Sequence, residues 1–189
     1  MLKKFFVLST VIALVFSLFS PMSSHANGDS IDWKTYYGEL DADEEMMIET
    51  ALEVSNYFEE NADGSIIFTA DIETLMDMGI TESDAELMIS AGKELSHNQI
   101  QPDGFVGIHL NLGPRVRNMT AWAAGVFAGG YVGWYAKQFA VNPITAGVAA
   151  LITAGTGLAV GNAVKKGLKR VSVGMNIPGI SLSYTVNIP

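Results

Sequence analysis

The sequence predicts an α+β protein: a small acidic helical N-terminal domain, then a glycine-rich apolar helical hairpin flanked by a β-strand and a C-terminal β-hairpin. Three observations predict it. Apolar residues recur at helical spacing among acids between Asp41 and Leu95. Two nearly uncharged segments, divided by Asn142-Pro143, fill residues 118–166. Strict alternation of apolar and polar residues marks 105–112 and returns in the tail from 170.

Residues 1–26 read as a secretory signal peptide. Lys3 and Lys4 precede an apolar run from Phe5 to Phe19, Pro21 breaks it, and Ser24-His25-Ala26 offers a small-x-small site for cleavage after Ala26. Two units follow, an acidic, pro-like helical domain at 27–103 and a cationic apolar domain at 104–189. All 20 acids of the chain lie between Asp29 and Asp103, where Lys34 and Lys93 are the only cations, a net charge of −18. From Gly104 onward there are seven cations and no acid. Such asymmetry predicts that the first half shields or solubilises the second. The absence of cysteine excludes disulfides, thiolate metal sites and thiol nucleophiles.

The acidic half predicts about three helices. Asp41 or Asp43 caps a helix over 41–60, with Met47, Ala51, Val54 and Phe58 on its inner face. Trp33, Tyr36 and Tyr37 are expected to pack on that helix. Asn61–Gly64 is a turn; its partial match to a calcium loop fails at Ala70, where a bidentate Glu belongs. Ser65–Thr69 is a short extended piece. Thr69 or Asp71 starts a brief helix that Gly79 stops, and Thr81 caps the next, with Asp84 near capping-box spacing. Ser96–Gly104 is a polar connector containing a Pro-Asp-Gly turn, and it is the place for a processing protease to cut if the chain is a precursor.

Residues 105–112 predict a half-buried strand with His109 on its polar face. In the tail, strands about 171–177 and 180–188, turning at Pro178-Gly179, predict a β-hairpin over 170–189. A two-stranded hairpin is marginal alone, so strand 105–112 or an assembly is expected to support it.

The hairpin 118–166 carries the functional expectation. Its segments, about 118–141 and 143–164, each have the length that spans a bilayer. Small residues four apart form a stripe on each: Gly125, Gly129 and Gly133 on the first; Thr145, Ala149, Thr153, Gly157 and Gly161 on the second. Repeated Gly costs roughly 1 kcal/mol per residue relative to Ala in an aqueous helix. Close helix approach, the main source of association in lipid, offsets that cost. The same pattern serves a tightly packed helix pair in a soluble core.

Arg115 and Arg117 enter the hairpin, and Lys165, Lys166, Lys169 and Arg170 leave it, so both sets lie on one side. With Trp122, Trp134 and Tyr135 they are expected to contact anionic headgroups. Positive flanks outside the cell oppose ordinary insertion, so entry is expected after export, from the outer face. Nothing in the motifs points to catalysis, a metal, a cofactor or nucleic acid. No phosphate loop or G-x-S-x-G occurs, and two histidines remain after signal removal.

The expected function is an exported, membrane-active protein, a bacteriocin-like or pore-forming toxin precursor acting on a lipid bilayer as a homo-oligomer. Its layout is similar to that of exported bacterial peptide-toxin precursors, in organisation only. The alternative is a secreted or envelope-associated structural or interaction protein, or an immunity or accessory protein, with the hairpin packed inside a soluble assembly.

Overall fold

The computed structural model describes residues 36–95, 99–100, 105–138, 143–176 and 182–189. The signal and its cleavage point at Ala26, most of the connector, the bend at 139–142 and the turn at 178–179 lie outside them.

Asp41 starts helix α1 (Ala42–Val54) through a complete capping box: its carboxylate accepts from the Glu44 N–H at 2.8 Å, and the Glu44 side chain accepts from the Asp41 N–H. The helix ends earlier than the pattern predicts. Ser55 turns its hydroxyl back onto the Leu52 carbonyl at 2.5 Å, a 3-10 turn covers Ser55–Tyr57, and the chain enters strand β1 (Phe58–Glu60). β1 pairs antiparallel with β2 (Ile66–Phe68), with Phe58 opposite Phe68. The intervening turn places Gly64 at φ +82°, a conformation glycine adopts without a Cβ clash. Phe58 thus reaches the core from a strand, where aromatic residues fit well.

Helices α2 (Ile72–Asp77) and α3 (Glu82–Gly92) follow, capped by Asp71 and Thr81. Gly79, at φ +85°, ends α2 with the paired bonds Gly79 N–H to Met76 O and Ile80 N–H to Leu75 O.

After β3 (Gln99–Ile100) and β4 (Phe105–Leu112), a short helix α4 (Pro114–Asn118) precedes α5 (Ala121–Lys137). Thr120 caps α5, so the first hairpin helix starts three residues later than 118 and ends before 141. At 17 residues it is about 26 Å long, shorter than a bilayer core. The second, α6 (Pro143–Lys165), has 23 residues, and its stretch Ala146–Lys165 is the one segment among the described residues long and apolar enough to cross a membrane.

The tail strands β5 (Arg170–Asn176) and β6 (Leu182–Ile188) form where predicted, but they do not pair with each other. The sheet order is β3-β6-β4-β5. β4 pairs antiparallel with β5, Ile108 opposite Val173, and parallel with β6, Ile108 opposite Tyr184. The C-terminal β-hairpin is therefore replaced by a sheet in which β4 is central. Both faces of the reason are visible along β4. Leu110 and Leu112 need cover from two neighbours, and Val171, Val186 and Ile188 join them against the helices. Asn111, on the polar side, bridges both neighbours: Arg170 Nε donates to its Oδ1 and its Nδ2 donates to Asn187 Oδ1, each at 2.8 Å.

The two halves share one buried cluster. Met47, Val54, Phe58, Leu75 and Met88 from the acidic half meet Val126, Phe127, Tyr131 and Val160 from the hairpin. Phe58, Phe68 and Phe127 pack with ring centroids 4.7–5.7 Å apart.

Candidate functional site

The two predicted stripes face each other. A Cβ placed on Gly125 would lie 2.7 Å from the Gly157 carbonyl oxygen; one on Gly129 would lie 3.0 Å from the Thr153 oxygen and 3.3 Å from Gly157 Cα. Gly133 lies against the Thr153 side chain, and a Cβ on Gly161 would sit 3.1 Å from the Ala121 oxygen. Thr153 directs its hydroxyl to the Ala149 carbonyl at 2.9 Å, so this buried polar group is satisfied within its own helix. The Thr145 side chain lies outside the described residues.

A third helix lies over this contact. Met47 of α1 seats its thioether at Gly125, Gly157 and Gly161, touching both hairpin helices. Ala51 meets Gly129, with Cβ 3.1 Å from a Cβ placed there, and Val54 meets Gly130. Gly130 falls outside the four-residue stripe. The Gly129-Gly130 pair thus serves two helices at once, one residue facing α6 and α1, the next facing α1 alone.

The acidic half also holds both ends of α5. Asp84, 4% exposed, accepts from the Thr120 N–H at 2.9 Å and from the Thr120 hydroxyl at 2.7 Å. Thr120 in turn caps α5 through Ala123 N–H. The carboxylate of α3 therefore sits at the N-terminus of α5, where the helix dipole favours a negative charge. At the other end Lys137 donates to the Leu52 carbonyl at 3.3 Å and to Asn56 Oδ1 at 2.8 Å, joining α5 to the C-terminal turn of α1. Partial burial lowers the Lys137 pKa. Tyr37, expected on the first helix, instead reaches α6, where it donates its hydroxyl to the Leu151 carbonyl and lies at Gly155; burial pushes its pKa up to about 12.

Residues predicted to touch headgroups divide into two groups. Arg115 forms an ion pair with Glu94; this hydrogen bond holds the Glu94 carboxyl below its usual range and raises the arginine. Arg117 donates through Nε to the Leu112 carbonyl at 3.0 Å. Trp122, Trp134 and Tyr135 are half-buried, the last two packed edge to face at 4.6 Å. Lys165, Lys166 and Lys169, by contrast, are exposed, and Arg170, also exposed, donates through Nε to Asn111 Oδ1.

Sequence reasoning missed the roles of Asp84, Lys137 and Met47 across the halves. Lys137 was the available signal: it is the lone charge between Asn118 and Val164, in a segment that otherwise excludes charge. Among the described residues no cluster of His, Asp and Glu is placed to hold a metal. A shallow cleft of about 320 Å³ between Glu94 and the ends of β4 and β6 has Glu94 as its one titratable side chain. No family model, curated protein or solved structure matches the chain.

Proposed function

We propose that the protein is an exported, membrane-active, bacteriocin-like or pore-forming toxin precursor whose acidic half holds the apolar hairpin latent. One observation carries this reading: helix α1 occupies the glycine face with Met47, Ala51 and Val54, while Asp84 and Lys137 tie both ends of α5 to the acidic half. A surface of small residues that would let hairpins associate in lipid is thus covered by an acidic helix in water. Loss of the acidic half uncovers that face and removes twenty carboxylates that oppose approach to anionic lipid.

The second reading is a secreted or envelope-associated interaction protein in which the hairpin is permanent core. The burial of every residue from Ala123 to Gly133 favours it. A specific protease site placed in the 96–104 connector of the mature chain separates the two. Under the first reading the intact protein leaves anionic vesicles sealed, and cutting starts dye leakage that salt suppresses. Vesicles that stay sealed after complete cutting, with the hairpin half still soluble, defeat the toxin reading and leave the second.

A further inference from the structure

The turn joining α6 to β5 is closed by two bonds, Gly167 N–H to Val164 O at 3.0 Å and Leu168 N–H to Ala163 O at 2.9 Å, with Gly167 at φ +66°. This Schellman pattern holds the next residue in a fixed place. Leu168 stands there 46% exposed, flanked by the exposed side chains of Lys165, Lys166, Lys169 and Arg170. Three large hydrophobic side chains are exposed among the described residues: Met46, Met76 and Leu168. Met46 stands in sequence among Asp43, Glu44, Glu45 and Glu49, and Met76 between Glu73 and Asp77. Of the three, Leu168 alone has cationic neighbours.

We propose that this turn docks the intact, folded protein on an anionic lipid bilayer, with Leu168 entering the headgroup boundary and Lys165, Lys166 and Lys169 resting on lipid phosphates. The combination is what such a surface requires, an apolar side chain for the interface and positive charge for its phosphates. Residues 27–189 carry nine cations against twenty acids. The whole molecule is therefore repelled by anionic lipid, and attraction is confined to the turn, within a screening length of about 8 Å at physiological salt. That contrast gives the contact one orientation and a steep salt dependence. The turn belongs to the folded state, so docking requires no release of the hairpin and is tested apart from it. Nucleic acid is the poorer partner, because it has no use for an exposed leucine flanked by so few cations.

The test is flotation of the uncut mature chain with vesicles of phosphatidylcholine alone or with a third phosphatidylglycerol. Binding is expected only with the anionic lipid, and is lost at high salt. Lys165→Gln with Lys166→Gln weakens it about 25-fold, at roughly fivefold per cation. Leu168→Ser weakens it about tenfold, as expected for withdrawing part of a leucine from an apolar environment. Met76→Ser leaves it unchanged, and thermal unfolding of each variant checks that the fold is kept. Equal binding to neutral vesicles, an unchanged Leu168→Ser, binding only after connector cleavage, or equal capture by heparin at the same salt overturns the assignment.

Discussion

Helices α5 and α6 are both apolar and rich in glycine and alanine, but α5 carries five aromatic residues and α6 none, and the structure treats them differently. α5 is enclosed: α6 lies on one side, α1 on another, and the Phe58–Phe68 pair on a third, so Ala123–Gly133 are all buried. Its two ends are bonded to the acidic half. α6 carries exposed Ala146 and Asn162, half-buried Ala150, Leu158 and Ala159, and a bond to Tyr37. A helix apolar on all sides must be surrounded, and here protein surrounds the shorter of the two. The acidic half therefore encloses α5 more fully, while it touches α6 directly through Met47 and Tyr37.

The strongest way to break this contrast is to add bulk on α5. Gly129→Leu forces a side chain between Thr153, Gly157 and Ala51, and is expected to destabilise by about 3 kcal/mol or more in urea unfolding. Gly147→Ala on α6 meets open space and is expected to stabilise by about 0.5–1 kcal/mol. Equal effects at the two positions would show that the helices are not held differently. Next is Asp84→Ala, which leaves the Thr120 N–H and hydroxyl without their acceptor; the expected loss is about 2–3 kcal/mol by the same measurement. Hydrogen exchange should show the first turn of α5 opening more readily than α6.

Tyr37→Phe tests the hold on α6 and is expected to cost about 1 kcal/mol. Because the fold raises this phenol's pKa, its contribution is complete below the ordinary tyrosine range of about 10 and is lost as pH rises toward about 12. The variant should flatten that alkaline limb. Lys137→Met removes two bonds made by a partly buried side chain and should cost about 0.5–1 kcal/mol. The smallest effect belongs to Glu94→Gln. The lowered carboxyl pKa gives stability that is present above the ordinary glutamate range and lost as pH falls through the depressed value. Acid titration of the variant should show a shallower limb.

What could be read in advance was local. The caps act on backbone three residues away: Thr81 was legible outright, while between Asp41 and Asp43, and between Thr69 and Asp71, the fold uses Asp41 and Asp71. The glycine stripes were legible because helical spacing alone decides which residues share a face. The partners of those faces were not. Nothing near Met47 says that its thioether fills a notch made by Gly125 and Gly157, and the pairing of Asp84 with Thr120 spans 36 positions. The tail misled for the same reason. Pro178-Gly179 is a good local turn signal, but pairing depends on which strands must cover Leu110 and Leu112, and β4 competes for both edges. Helix α1 was overextended because Phe58 keeps the helical period while sitting on a strand.

The placement of β4 has a consequence for any movement of the hairpin. The chain enters the helix pair from β4 and returns from it into β5, and these strands are direct neighbours. The two exits are thus pinned about 5 Å apart by a hydrogen-bonded ladder that includes no residue of the helices. Under the proposed function, release of the hairpin would leave the ladder zipped, with the two legs leashed to the same spot. The link on the β4 side is itself held: it contains α4, Val116 N–H bonds to the Pro189 carbonyl at 2.9 Å, and the Val116 and Met119 side chains are buried.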